Sequence, residues 1–348
     1  MSGAGFRLPA EWEPQDGVLL AWPHQGTDWA ANLADAERCY ADLVGAIARY
    51  ERVLLLVPDE AIEARARRNL LRSGTKLERV RFVGLEYDDT WTRDSGPVTL
   101  VAGNRVRLVD FQFTGWGGKF SAVRDDHLVA GLVAAGCFAE HAHRHRVEFA
   151  LEGGAIESDG EGTVLTTARC LTHRHPSLTL AEIEETLRRE LGCDRVLVLQ
   201  HGGLEGDDTD AHIDTLARFA SPDHIVYQSC DVPGDPHYSE LNLMQSELTR
   251  LRNRAGAAYT LSALPWTNPI HARDGRRLAA SYANFLVLDG AVLMPGYRDP
   301  ADEIAASVLR RAFPEREVLV VDCRALIEQN GSLHCVTMQL PRGALADA

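Results

Sequence analysis

Residues 187–200 read LRRELGCDRVLVLQ, and residues 309–323 read LRRAFPEREVLVVDC. Both run in the same order: a helix end rich in arginine, a short turn, then an apolar strand. Residues 70–84, LLRSGTKLERVRFVG, echo the pair. Recurrence of one supersecondary unit predicts a single architecture wound around an axis rather than unrelated domains. Each repeated strand leads into a polar, glycine-containing segment: LEYDDTWTRDSGP (85–97), HGGLEGDDTDAHID (201–214) and IEQNGSLHC (327–335). If the units surround an axis, these segments meet on it.

Periodicity and capping extend the pattern along the chain. Helices are expected over 34–50, 59–74, 179–193, 239–256 and 302–314, the third opened by a Thr179/Glu182 capping box. Strands are expected at RVLLLVP (52–58), RVRFVGL (79–85), RVRLVDFQF (105–113), RVLVLQ (195–200), HIVYQSC (224–230), FLVLDG (285–290) and EVLVVDC (317–323). Short Val- and Leu-rich runs alternating with helices define an α/β fold with a buried sheet. No linker interrupts the chain, so residues 1–348 are expected to form one domain.

The 348 residues are 45% hydrophobic and 25% charged, the composition of an ordinary globular protein. The N-terminus MSGAGFRLPAEWEP has no basic start followed by an apolar run, and no stretch matches a membrane span, so a cytoplasmic setting is expected. Seven cysteines without a CxxC pair argue against a disulfide framework or a zinc cage. A net charge of −14 repels nucleic acid and anionic membranes and attracts small cations.

The residues that could carry chemistry lie in the polar segments. In a strand, His212 and Asp214 of HID would project from the same face. Asp207, Asp208 and Asp210 beside them also suit a solvated acidic loop. In DDTWTRDSGP, Asp88, Asp89 and Asp94 flank Trp91, an arrangement suited to a planar cation but also to a simple turn. Glu152 precedes two glycines in LEGG, and the ESDGEG that follows (157–162) is expected to be an exposed hairpin turn. FTGWGGKF around Trp116 lacks the spacing of a phosphate loop. HAHRHR (141–146) and THRH (172–175) read as solvated surface, since their arginines oppose a metal. Cys335 considered alone is more often a packed thiol, and strand alternation places His334 on the opposite face from it. Together, a thiol, an HxD pair and several carboxylates change the balance. Carboxylates hinder an ordinary thiol protease but suit a guanidinium, which they hold while the thiolate attacks its central carbon.

At this point the chain resembles the agmatine deiminases of the guanidino-group-modifying superfamily, peptidyl-arginine deiminase-like family. The motifs are PAEWEPQDGVLLAWPH, DDTWTRDSGP, FTGWGGKF, LEGGAIESDGEGTVLTT, GDDTDAHIDTLARF, SYANFLVLDGAVLMPGY and NGSLHCVTMQLP, in order over nearly the whole length. The resemblance implies the pentein (α/β-propeller) fold, five ββαβ-like units around a pseudo-fivefold axis. It implies hydrolysis of agmatine to N-carbamoylputrescine and ammonia in putrescine formation, with no metal and no cofactor. Carried over by residue, Cys335 is the nucleophile, His212 the general acid and base, and Asp94 and Asp214 the guanidinium carboxylates. Glu152 supports His212, Trp91 and Trp116 line the substrate channel, and Asp88 or Asp208 receives the distal ammonium. A homo-oligomer, dimer or higher, is expected on the same ground. Family members often read GHID where this chain has Ala211 before His212. Arginine or peptidyl-arginine is the rival substrate, with Arg93 or Arg218 available for its carboxylate, and a non-catalytic guanidine binder is the rival of another class.

Overall fold

The computed structural model describes residues 5–347; residues 1–4 and 348, the ends of the expected single domain, lie outside the described residues. Five sheets repeat one plan. Two antiparallel strands are followed by a helical crossover to a third strand, parallel to the second. In the second unit these are β4 (Val98–Ala102), β5 (Arg105–Gln112) and β6 (Ala142–Ala150); in the third, β7 (Glu157–Ser158), β8 (Thr163–Thr167) and β9 (Arg195–Leu199). The fourth holds β10 (Ala217–Ser221), β11 (His224–Gln228) and β12 (Thr260–Leu264), and the fifth β13 (Leu286–Val287), β14 (Ala291–Gly296) and β15 (Glu317–Asp322).

The first unit closes the ring. Its strands β1 (Gln15–Ala21), β2 (Arg52–Val57) and β3 (Val80–Gly84) are parallel, and the antiparallel partner of β1 is β16 (Met338–Pro341) from the far end of the chain. Pairing Leu19 with Met338 and Val18 with Gln339 thus joins the last unit to the first. The seven expected strands and five expected helices all occur, and the pentein fold is the fold of this chain.

The repeated LRREL stretch has a plain physical origin. In the helix Leu180–Leu191, Ile183, Leu187 and Leu191 recur every four residues and are buried, each stabilising the fold by roughly 1.5–3 kcal/mol. Thr179 and Glu182 form the expected capping box, Gly192 ends the helix at φ 63°, and Arg188 and Arg189 occupy its last turn. The fifth unit repeats this with Val308 and Leu309 buried and Arg310 and Arg311 in the last turn. One expected helix is shorter than its sequence suggests. It ends at Arg250 rather than 256, because buried Asn253 closes a loop by accepting from the Ala257 N–H and donating to Asp223. The ESDGEG turn does join β7 to β8, but Glu157 and Asp159 are buried rather than exposed. Glu157 pairs with Arg218, and Asp159 accepts from the N–H groups of Glu161 and Thr163. No helix among the described residues is long and apolar enough to cross a membrane.

Gly17 sits where β1 lies against β2, and a β-carbon there would collide with the Arg52 carbonyl. Because that obstacle is backbone in the closing sheet, Gly17→Ala is expected to destabilise the fold by about 2 kcal/mol, read as a lower urea midpoint at unchanged m-value.

Candidate active site

In every unit the third strand leads into a connection that crosses to the next unit, and all five connections reach the centre. The one after β3 carries Asp94, the one after β6 Glu152, and the one after β9 His212 and Asp214. The connection after β12 brings Asn284, and the one after β15 brings Cys335. Asp94, Glu152, His212, Asp214, Asn284 and Cys335 are all buried.

His212 and Asp214 do not lie in a strand. His212 is extended at the start of a single helical turn, Ile213–Thr215, and Cys335 lies in a turn before β16. Alternation therefore governs neither pair, and convergence comes from the turns. A β-carbon placed on Gly154 would lie 2.7 Å from His212 Nδ1, 2.8 Å from Asp94 Oδ1 and 3.2 Å from Asp214 Oδ2, so three side chains meet at one glycine. The Gly154 N–H donates to Asp94 Oδ1 (3.0 Å), and Trp116 Nε1 donates to Asp94 Oδ2 (2.9 Å). His334 is turned away from any role as base to the thiol: Nδ1 contacts Asp214 Oδ2 at 2.8 Å and Nε2 contacts Glu11 Oε1 at 2.7 Å. Asn284 Nδ2 donates to Asp214 Oδ2 (3.1 Å) and to Cys335 Sγ (3.3 Å). Its Oδ1 accepts from the His334 N–H (2.8 Å).

Outward from Cys335 and Asp94 opens a cleft of about 1000 Å³, lined by Trp91, Trp116, Asp28, Asp89, Asp125 and Asp208 among others. Trp91, Trp116 and Asp208, to which the resemblance gave roles in substrate binding, all line this cleft. Asp88 also lines the cleft, but one oxygen accepts from the Arg124 N–H (2.8 Å) and the other faces the Arg124 guanidinium. Asp89, named in the sequence beside Trp91 but given no role by the resemblance, accepts from the Trp91 indole N–H (3.2 Å). Neither Arg93 nor Arg218 lines this cleft; Arg93 is tied to Glu11 and Gln339, and Arg218 to Glu11, Glu157 and the Phe285 carbonyl.

Burial pushes Asp94 up to about 6, against the pull of His212, with Asp214 and Glu152 adding to the rise. Burial likewise pushes Asp89 and Asp125 up to about 7. The Cys335 thiol is driven well above its usual value by burial and then by Asp214 and Asp94. Burial works against protonation of His212, but Asp94, Cys170 and Glu152 outweigh it and hold the imidazole well above its usual value. Burial opposes ionisation of Glu152, yet His212 and Arg174 keep it below the normal range. The centre holds its carboxylates and an imidazolium, and a protonated thiol.

Residues 7–341 match the model of the Porphyromonas-type peptidyl-arginine deiminases. The chain belongs to that family. It is 34% identical to an agmatine deiminase of Stutzerimonas stutzeri, over 97% of this chain and 96% of the relative. A solved agmatine deiminase of C. jejuni with substrate bound superposes at TM-score 0.89 with 32% identity, covering 99% of this chain and 98% of the other. A Porphyromonas gingivalis protein provisionally called an arginine deiminase superposes at 0.90 with 44% identity, covering 98% and 100%.

The sequence reading missed Asn284, although its segment was among the motifs quoted. An uncharged residue in SYANF carries no signal of its own beyond its place after the fourth unit's last strand. Arg174 in THRH was read as surface, but it is buried, donating to Glu152 Oε1 (2.6 Å) and Asp210 Oδ2 (2.6 Å). Cys170 was grouped with the packed thiols, yet its sulfur lies 4.0 Å from Glu152 Oε2. Ala211, where the family often has glycine, adopts φ 69°. A left-handed alanine costs roughly 1–2 kcal/mol, partly offset by the greater unfolded-state entropy of glycine. Ala211→Gly is expected to stabilise the protein by about 0.5–1 kcal/mol, measured by urea unfolding.

Proposed function

We propose that the chain hydrolyses agmatine to N-carbamoylputrescine and ammonia through an amidino-thioether on Cys335. The observation that carries this reading is the lining of the cleft: Asp28, Asp88, Asp89, Asp94, Asp125 and Asp208, with no lysine, arginine or histidine among the described lining residues. A substrate with a guanidinium at one end and an ammonium at the other meets acid throughout. An amino-acid carboxylate would meet no cation there, which sets agmatine ahead of arginine.

The roles follow from the open valences. Asp214 Oδ1 is buried without a hydrogen-bond partner, while Oδ2 is already engaged by His334 and Asn284. A guanidinium N–H supplies the missing donor, and Asp94 holds the other edge of the fork. Trp91 and Trp116 flank the chain of methylenes. Asp89, with Asp208 and Asp88 nearby, receives the distal ammonium, whose charge favours the ionised carboxylate.

The thiol is protonated in the resting site because burial, and then the nearby carboxylates of Asp214 and Asp94, oppose its ionisation. Entry of the cation lowers that penalty, so the thiol passes its proton to water in the cleft and on to solvent as substrate binds. The Asn284 N–H stabilises the thiolate. Sγ then bonds to the guanidinium carbon, the carbon–nitrogen bond to one terminal nitrogen breaks, and the His212 imidazolium protonates the departing ammonia. His212, now neutral, takes a proton from water as that water adds to the same carbon. Collapse forms the ureido carbonyl and expels the sulfur, which takes up the hydroxyl proton and restores the resting thiol. Glu152, 3.6 Å from His212 Nε2, stabilises the imidazolium at both ends of the cycle. The proposal extends to a cytoplasmic setting, and to a homo-oligomeric assembly that the family resemblance supports and light scattering can read.

Ammonia release tests the reading. Agmatine is expected to be turned over, arginine and a peptide ending in arginine far more slowly, and Cys335→Ala to retain less than about a thousandth of the activity. Turnover of an arginine substrate in preference to agmatine would keep the chemistry and replace the substrate; activity surviving in Cys335→Ala would remove the nucleophile. The pH profile gives an independent check. Gripping the guanidinium needs ionised Asp94, whose pKa is about 6 in the free protein. Hence kcat/KM is expected to fall as pH drops through 6, by roughly tenfold per unit well below it, and Asp94→Asn is expected to abolish turnover.

A further inference from the structure

Cys170 has no part in that chemistry, yet it faces two groups that do. It lies in the first turn of the helix Ala168–Arg174, capped by Thr167, and has no exposed surface. Its Sγ is 4.0 Å from Glu152 Oε2, which in turn is 3.6 Å from His212 Nε2. The sulfur, the carboxylate oxygen and the ring nitrogen all lie within 4.8 Å of one another. Arg174 occupies the other oxygen, Oε1, so Oε2 is the one left to the cluster. His212 is 1% exposed, and both its ring nitrogens lack a hydrogen-bond partner. A buried imidazole left unsatisfied beside a thiol and a carboxylate is a donor set without its acceptor.

We propose that Glu152, Cys170 and His212 form a binding site for a thiophilic divalent cation, zinc being the best fit, and that its occupation shuts off the deiminase. The geometry is close to what zinc requires. Zinc binds sulfur at about 2.3 Å and nitrogen or oxygen at about 2.0–2.2 Å, which puts tetrahedral ligand atoms roughly 3.3–3.8 Å apart. The edges from Glu152 Oε2 to His212 Nε2 and to Cys170 Sγ, 3.6 and 4.0 Å, need to contract by no more than a few tenths of an ångström, and the edge from sulfur to imidazole, within 4.8 Å, by at most about 1 Å. One thiolate and one carboxylate balance the charge of the ion, which displaces two protons to solvent, one from the thiol and one from His212 Nε2; water or hydroxide completes the shell. Arg174, fixed on the far oxygen, orients Glu152 as outer partners of metal sites do. Sulfur and imidazole disfavour magnesium and calcium. With its Nε2 lone pair on the metal, His212 can no longer carry a proton to the leaving ammonia. The inhibition therefore rests on the role proposed for His212, whereas the binding does not.

Cobalt(II) separates the two. The unmutated protein and Cys335→Ala are each expected to bind one cobalt with a thiolate-to-metal charge-transfer band in the near ultraviolet. Cys170→Ala and Cys170→Ser are expected to lack the band while retaining enough metal-free agmatine turnover for zinc inhibition to be read against each variant's own metal-free rate. Zinc is expected to inhibit the unmutated enzyme reversibly, with recovery on adding EDTA and no effect of magnesium. At least about tenfold more zinc is expected to be needed in either Cys170 variant. X-ray absorption at the zinc edge of Cys335→Ala, which leaves Cys170 untouched, is expected to show one sulfur among nitrogen and oxygen ligands. A band lost in Cys335→Ala but kept in the Cys170 variants would place the metal on the nucleophile and overturn the proposal. So would a sulfur-free zinc shell in Cys335→Ala. A Cys170-dependent band without inhibition of an active enzyme would overturn the inhibitory half, and loss of agmatine turnover in metal-free protein would strike the function and leave the binding result readable.

Discussion

Asp214 is a carboxylate with no exposed surface, and it sits in the middle of the molecule. Burying an ion so completely is tolerable only where hydrogen bonds and opposite charge surround it. His334 and Asn284 supply the hydrogen bonds to Oδ2, and the requirement passes outward from there. His334 leans on Glu11, Glu11 pairs with Arg93 and Arg218, and Arg218 pairs with Glu157. These residues come from the N-terminal segment and from the connections or strands of four units. The chain of partners therefore ties four of the five units together at the point where the substrate is to bind. Breaking one link of such a network leaves a buried charge uncompensated, a loss of about 3–5 kcal/mol, which exceeds what most single apolar contacts supply.

On the side facing the cleft the same accounting is left open. Asp94 near 6, Asp89 and Asp125 near 7 and a thiol held above its normal range are raised first by burial, which nearby positive charge does not offset. The structure-facing half of the centre is neutralised by arginines, and the cleft-facing half waits for a cation. Activation of the nucleophile is then coupled to recognition, since only a ligand that brings charge makes the thiolate affordable. The net charge of −14 acts at longer range in the same direction.

The repeat in LRREL and LRRAF made the architecture legible, because a buried leucine, an arginine-rich last turn and an apolar strand are all local signals. Five of the catalytic candidates were legible for the same reason: they are charged or nucleophilic residues in segments otherwise poor in structure signals. What the sequence hid depends on distance across the ring. Asn284 carries no charge, Arg174 looks like surface until Glu152 arrives from another unit, and Glu11 precedes the first strand. The geometry of HID was misread because period-two alternation was applied to a turn. The outcome survived the error, since what aims His212 and Asp214 is the crossing of a connection over the axis rather than the face of a strand.

That crossing also explains why the polar segments are rich in glycine. Backbones from five directions must pass within contact of one another and still leave room for a ligand. At Gly154 the space a β-carbon would fill is already used by His212, Asp94 and Asp214, and at Gly331 by the indole of Trp91. Any side chain at Gly154 would displace the acid that grips the substrate and the histidine that moves its proton in one stroke. The glycines of LEGG and NGS therefore belong to the site as surely as the residues that react: they fix how closely the five connections approach, and that approach sets the spacing of the carboxylates around the thiol.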